Sequence, residues 1–216
     1  IDLLTYNFFG EPFELKENNN NDSFNVPVTI ADSDLISGNL LHISVEDYNN
    51  DGLKDILMAA ASGMVYWQQI GDLIFTSGVV LFEGADRPRG IDVMDGDGDG
   101  FLDVVLGTGT IIAGSSSGKT LLYKGSLNGP KFVAEIEHSS GYKYPKFIDH
   151  DNDGAEDIIV SDREDLYVFD FSSYENEPTP KQVISNEYAK YGDYIIKDVD
   201  NDGDDDMIIG DSNGNL

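Results

Sequence analysis

The sequence contains no cysteine, only 13 basic residues against 41 acidic ones, and only three histidines. Without cysteine, disulfide bonds cannot support the fold. The net charge of −28 disfavours binding to nucleic-acid phosphates or to anionic lipids. No apolar run approaches membrane-spanning length, so we expect no membrane insertion. His42, His138 and His150 are scattered and have no serine or cysteine elbow beside them, which disfavours a catalytic triad.

The remaining composition is that of a folded chain. Its 216 residues are 40% hydrophobic and 11% aromatic, enough for one sizeable domain with a core. The chain begins with Ile1 rather than Met, and we expect it to be an excerpt of a longer protein.

Four acidic segments share one nine-residue pattern: Asp at position 1, Asp or Asn at 3, Asp at 5, Gly at 6 and Asp at 9. Each is followed by aliphatic residues. The side chains at positions 1, 3, 5 and 9 are Asp47, Asn49, Asp51 and Asp55; Asp95, Asp97, Asp99 and Asp103; Asp149, Asp151, Asp153 and Asp157; and Asp198, Asp200, Asp202 and Asp206.

This spacing points alternate side chains at one centre, and the glycine permits the reversal that returns position 9 to it. Four converging carboxylates repel one another unless a cation lies between them. Ligands that are all oxygen, with no Cys or His at a ligand position, favour Ca²⁺. We therefore predict four calcium sites, of which the first is weakened by Asn49. EF-hands are excluded because position 12 is aliphatic or Met and no flanking helix is predicted.

The loops recur along the whole chain. They start at residues 47, 95, 149 and 198, so the steps are 48, 54 and 49 residues. Such a period indicates stacked supersecondary units. The predicted units are 1–40 (partial), 41–89, 90–141, 142–190 and 191–216 (partial), all within one domain over 1–216.

Each unit has the pattern of four strands and no convincing helix. In the first full unit we predict Leu41 to Val45, Ile56 to Ala60, Met64 to Gln69 and Ile74 to Phe82. In the second unit they are Gly90 to Met94, Val104 to Gly107, Thr120 to Lys124 and Lys131 to Glu137. In the third they are Lys146 to Ile148, Ile158 to Val160, Leu166 to Phe171 and Gln182 to Ser185. Four short antiparallel strands in about 50 residues predict an all-β fold of β-propeller blades, with a β-solenoid as the alternative.

The loop pattern followed by three aliphatic residues resembles the FG-GAP/VCBS repeat family, the blades of integrin-α-like propellers. The resemblance implies that the carbonyl at position 7 also binds calcium. Those carbonyls would belong to Leu53, Phe101, Ala155 and Asp204. Propellers of this family usually have about seven blades, so four repeats imply part of a larger propeller.

We expect a non-enzymatic, calcium-stabilised module at the cell surface or outside the cell that binds a protein or glycan. In such propellers the partner binds at the face opposite the calcium loops, which would carry the loop from Gly107 to Lys119. Arg87, Arg89, Tyr142 to Tyr144, Tyr188 and Tyr191 would lie there too. Two alternatives stay open: the propeller part of a secreted polysaccharide-degrading enzyme, and a surface protein that self-assembles through open blade edges.

The segment from Ala113 to Thr120 matches a loosened phosphate-binding pattern. That motif needs a helix after its glycine-rich loop, whereas Leu121 and Leu122 continue a strand pattern. We therefore interpret the segment as a hairpin loop. Trp67 is predicted to pack between blades rather than to bind sugar.

Overall fold

The computed structural model describes residues 3–5, 14–16, 23, 25, 28–30, 35–84, 87–112, 115–138, 144–161, 165–171, 180, 182–185, 194–203 and 206–209. Within these residues the regular structure is β-strand, with no α-helix, as the sequence predicts. In particular, no helix among them is long and apolar enough to cross a membrane.

Three four-stranded antiparallel sheets form the body of the described structure. The first contains β4 (Leu40–Glu46), β5 (Asp55–Ala60), β6 (Gly63–Trp67) and β9 (Val79–Glu83). The second contains β10 (Arg87–Met94), β11 (Asp103–Ile112), β12 (Ser115–Lys124) and β13 (Lys131–His138). The third contains β14 (Tyr144–Ile148), β15 (Asp157–Ser161), β16 (Asp165–Asp170) and β17 (Gln182–Ser185). Each sheet is a meander, which confirms the predicted four-stranded antiparallel unit.

Smaller sheets complete the described strands. One contains β1 (Leu3–Thr5), β2 (Glu14–Lys16) and β3 (Val28–Thr29). Another pairs β18 (Tyr194–Lys197) with β19 (Asp206–Ile209), and a hairpin pairs β7 (Gln69–Gly71) with β8 (Ile74–Phe75).

The second strand of each large sheet is apolar and is buried on both faces. Ile56 to Ala60, Val104 to Leu106 and Ile158 to Val160 are almost completely inaccessible to solvent. Such strands carry continuous apolar runs because neighbouring sheets cover both of their faces. Alternate residues of one strand therefore enter different cores: Leu57 packs between the first two sheets, whereas Ile56 packs on the other side of the first sheet with Trp67. Trp67 is fully buried there, which agrees with a packing role.

The fourth predicted strand of the first unit was wrong as one continuous element. Residues 74–82 instead form β8 and β9, and only β9 joins the sheet, beside β6. Leu73 adopts a left-handed backbone (φ 54°) at the turn between β7 and β8. This turn folds β8 back onto β7, and the apolar pattern of residues 74–82 does not reveal it.

The predicted loop from Gly107 to Lys119 was also wrong. Strands β11 and β12 continue through it and pair Thr110 with Ser117. The hydroxyl of Thr108 accepts a hydrogen bond from the Lys119 amide at 3.1 Å. Polar residues can continue the two paired strands because the hydrogen bonds between strands are made by backbone groups, whatever the side chains are. No helix follows Lys119, which removes the structural context of a phosphate-binding loop.

Candidate metal centres in the acidic loops

The four acidic loops occupy equivalent places in the fold. Each joins the first strand of a sheet to the second: β4 to β5, β10 to β11, β14 to β15 and β18 to β19. The short connection brings the loop between two antiparallel strand ends, so its side chains are held close to the sheet.

One hydrogen bond is common to all four loops. The amide of the glycine at position 6 donates to the Asp carboxylate at position 1, over 2.8 to 3.1 Å. These glycines, Gly52, Gly100, Gly154 and Gly203, have φ between 86° and 101°. The left-handed backbone confirms the reversal that was expected at this position.

Position 4 is a second left-handed residue that the sequence interpretation missed. It is Asn50, Gly98, Asn152 or Asn201, with φ between 55° and 74°. Asn and Gly are the residues that tolerate this conformation best, so their recurrence at position 4 is the signal that could have revealed it.

The structure brings three groups of carboxylates together. In each group, ligand atoms of all three residues lie within 4.8 Å of one another. The groups are Asp95, Asp97 and Asp99; Asp149, Asp151 and Asp153; and Asp198, Asp200 and Asp206. Asp103, Asp157 and Asp202 are absent from these groups, so their predicted ligation stays a prediction.

The second loop gives the clearest indication of a cation site. One carboxylate oxygen of Asp95, Oδ2, accepts the Gly100 amide, but Oδ1 is buried without a hydrogen-bond partner. A buried charged oxygen without a partner is costly. A hard cation between Asp95, Asp97 and Asp99 would satisfy it, and an oxygen-only donor set suits Ca²⁺ or Mg²⁺. The residues therefore fit a divalent metal ion.

The first loop is arranged differently. Asn49 is 1% exposed, and its Nδ2 donates to Asp51 Oδ2 at 2.9 Å and to the Leu127 carbonyl at 3.4 Å. Asn49 Oδ1 accepts the Asp51 amide at 3.2 Å. Asn49 is uncharged and its amide donates to Asp51. The first loop therefore carries less uncompensated negative charge than the loops with an aspartate at position 3.

The aspartate at position 9 connects its loop to the sheet. Asp103 is fully buried; its Oδ2 accepts the Gly96 amide at 3.0 Å and its Oδ1 accepts the Gly125 amide at 2.8 Å. Burial raises the pKa of Asp103 to about 6, although both amide bonds oppose the shift. A cation nearby would favour the charged form that burial disfavours.

Asp55 and Asp206 make related contacts. Asp55 accepts the Gln69 amide at 2.8 Å and the Tyr66 hydroxyl at 2.6 Å, and burial raises its pKa. Asp206 accepts the Val199 amide at 2.9 Å. Position 9 therefore anchors the loop in at least three of the four cases.

At position 7, the backbone amides rather than the carbonyls have identified partners. The amides of Leu53, Phe101 and Ala155 donate to the Asp at position 5 over 2.8 to 2.9 Å. These bonds turn the chain so that position 5 faces back into the loop. Asp204, the fourth residue of this set, lies outside the described residues.

Of the residues predicted for the opposite face, Arg87 and Arg89 lie on β10. Arg89 Nε donates to the Gly109 carbonyl at 3.0 Å, and Arg87 is exposed. Tyr144 begins β14, whereas Tyr142, Lys143, Tyr188 and Tyr191 lie outside the described residues.

These observations define an all-β protein built from repeated four-stranded antiparallel sheets, with an acidic loop after the first strand of each sheet. Comparison with known families makes the class more specific. The profile of the FG-GAP-like repeat matches residues 47–106, so this part of the chain carries an FG-GAP-like repeat. The matched segment runs from the first acidic loop into β11 and contains two of the four loops. No curated protein sequence matches the chain.

Solved structures show the same fold. One is a lectin from Agrocybe aegerita, described as specifically recognising non-reducing terminal N-acetylglucosamine. It is 17% identical, with a TM-score of 0.56 over 97% of this chain and 60% of the lectin chain. The chain thus spans less than two thirds of the lectin. The likeness supports the β-propeller-like fold class.

Proposed function

We propose that the chain is a calcium-stabilised, non-enzymatic binding module of an extracellular or cell-surface protein. The observation that carries the proposal is the convergence of three carboxylates in each of three loops at equivalent places in the fold. The buried, unpartnered Oδ1 of Asp95 supports a cation in the second loop. The first loop would be a fourth, weaker site because Asn49 replaces an aspartate.

Calcium has a structural role in this proposal. When bound, it would neutralise the loop carboxylates and hold the ends of the first and second strands of each sheet. Modest affinity is enough outside cells, where calcium reaches millimolar concentrations, and this supports the extracellular assignment.

The ligand of the module is a glycan or a protein. The FG-GAP-like repeat and the lectin-like fold support a binding role. The carboxylates that cluster are accounted for by the loops, which favours a binding module over a glycosidase-type pair.

The test is thermal unfolding in EDTA and in millimolar calcium. One site at a hundredfold excess of calcium over Kd adds about 2.7 kcal/mol, which corresponds to a rise of about 5 °C or more in the melting temperature. Magnesium at the same concentration should stabilise less if the loops favour calcium. Asp99→Asn should reduce the calcium response.

Asp72→Asn is the matched control, because Asp72 is exposed in the turn between β7 and β8 and belongs to no acidic group of the described residues. It should keep the full calcium response. Equal melting temperatures in EDTA and calcium would refute the proposal.

A further inference from the structure

A groove lies between the outer strand of the first sheet and the last two strands, β12 and β13, of the second. Its volume is about 390 Å³, within the range of small-ligand sites. Leu81, Phe82 and Glu83 of β9 line one side; Lys119, Phe132 and Glu135 of β12 and β13 belong to the other. Closer to the centre, Leu121 and Tyr123 close the space between the sheets as part of their shared core.

The groove presents an aromatic side chain to solvent. Phe132 is 48% exposed and packs edge-to-face on Tyr123, with ring centroids 5.7 Å apart. Tyr123 is fixed in turn because its hydroxyl donates to the Leu81 carbonyl at 2.9 Å. The groove therefore contains an exposed aromatic ring on a buried support.

The charged groups at the groove lie at its end away from the acidic loops. Lys119 Nζ lies 2.9 Å from Glu135 Oε1 and 3.3 Å from Glu137 Oε1. Glu83 is exposed on the facing strand. Among the residues that line the groove, the two carboxylates of Glu83 and Glu135 outnumber the one ammonium group, while Lys119 still offers a hydrogen-bond donor.

The repeated sheets show that these groups are not required by the fold. In the second sheet, Leu121 pairs with Glu135 and Lys119 with Glu137. At the corresponding pairs of the third sheet, Tyr167 faces Val183 and Asp165 faces Ser185. The first sheet pairs Val65 with Val80. At these register positions of the three four-stranded sheets described, the Lys–Glu pairing thus occurs in the second sheet alone.

We propose that this groove binds a neutral saccharide, which rests on the binding role proposed above and assigns it a site and a ligand class. A sugar ring has an apolar C–H face that suits the exposed ring of Phe132. Its hydroxyl groups can donate to Glu83 and Glu135 and accept from Lys119. The excess of carboxylates repels sialylated or other acidic sugars, since like charges in a confined site are unfavourable.

The test uses the full chain in calcium buffer on an array of neutral and sialylated glycans, with calorimetric titration of N-acetylglucosamine, N-acetylneuraminic acid and choline. We expect neutral glycans to bind and N-acetylneuraminic acid to be repelled by the carboxylates. Choline should bind less tightly than N-acetylglucosamine, because its single hydroxyl group cannot pair with Glu83, Glu135 and Lys119 together. Phe132→Ala should weaken neutral-glycan binding about tenfold or more, and Glu135→Gln should weaken it as well.

Val183→Ala is the matched control, because Val183 is 49% exposed on the outer strand of the third sheet. It should leave binding unchanged. Circular dichroism and melting curves establish that each variant is folded. Amide chemical-shift changes at Glu83, Lys119 and Glu135 would locate the bound sugar independently of the substitutions.

The two proposals fail separately. Binding of choline or of acidic glycans alone, or no glycan binding, overturns the saccharide site but leaves the calcium response intact. Neutral-glycan binding that survives Phe132→Ala in the folded variant also overturns it. If a neutral sugar binds in this groove but calcium does not raise the melting temperature of the chain, the proposed role of calcium is refuted instead.

Discussion

Asn49 occupies the position at which the other three loops carry Asp97, Asp151 and Asp200. Its buried side-chain amide donates to Asp51 and to the carbonyl of Leu127, which lies in the connection between β12 and β13. This residue therefore contributes to packing between sheets as well as to the loop, and it lowers the charge that a cation would have to balance.

The effect of Asn49→Asp on the free energy of unfolding should depend on calcium. In EDTA the new carboxylate faces Asp51 and loses the amide hydrogen bonds, so we expect a loss of about 1–3 kcal/mol in the free energy of unfolding. In calcium the added charge should tighten the first site and recover part or all of that loss. Unfolding curves and calorimetric titration measure both effects.

Asn128→Asp is the control, because Asn128 is exposed outside the acidic loops and the change adds the same charge. The change that it causes in the free energy of unfolding, relative to the unsubstituted chain, should be similar in EDTA and in calcium. If Asn49→Asp behaved like this control, Asn49 would have no part in a cation site.

Elements of neighbouring sheets meet closely beside the first two loops. The Leu102 amide donates to the Tyr48 carbonyl at 3.2 Å, which connects the second loop to the first. Gly129, in the connection between β12 and β13, has φ +85°, and an added Cβ would lie 2.2 Å from Cε1 of Tyr66. Tyr66 itself holds Asp55. The tight packing of this connection thus supports the anchor of the first loop.

Gly129→Ala should destabilise the chain through both backbone strain and displacement of Tyr66. We expect a loss of about 2–4 kcal/mol in EDTA, measured by denaturant unfolding. Gly52→Ala separates the two causes, because Gly52 has φ +88° but no atom within 4 Å of an added Cβ. That control should cost only about 1–2 kcal/mol. Equal losses would show that the contact with Tyr66 is unimportant.

Over the whole molecule, the net charge of −28 produces strong self-repulsion. Part of this charge is concentrated in the acidic loops, where bound calcium would compensate it. Raising NaCl from about 10 to 500 mM shortens the screening length from about 30 Å to under 10 Å and should raise the melting temperature in EDTA. The rise should be smaller in calcium.

Choline chloride at equal ionic strength controls for specific sodium binding. It should raise the melting temperature in EDTA by a similar amount. A melting temperature that falls or stays constant with salt in EDTA would contradict the importance of charge repulsion in the metal-free chain.

The sequence determined the features that depend on local chemistry. The acidic loops, their glycines at position 6 and the buried second strands all follow from residue type and short spacing, as Gly100 and Val104 to Leu106 illustrate. The four-stranded unit follows from the length of the repeat and the turn-rich breaks between apolar runs.

Only the tertiary structure decided which groups meet across the sheets. It showed that Asp103 fixes its loop to the Gly125 amide, that residues 74–82 divide between two sheets, and that β11 and β12 extend beyond their apolar segments. It also brought β9 beside β12 and β13 to form the groove at Phe132. These contacts join residues distant in sequence, so their geometry depends on how whole sheets pack, which local pattern does not specify.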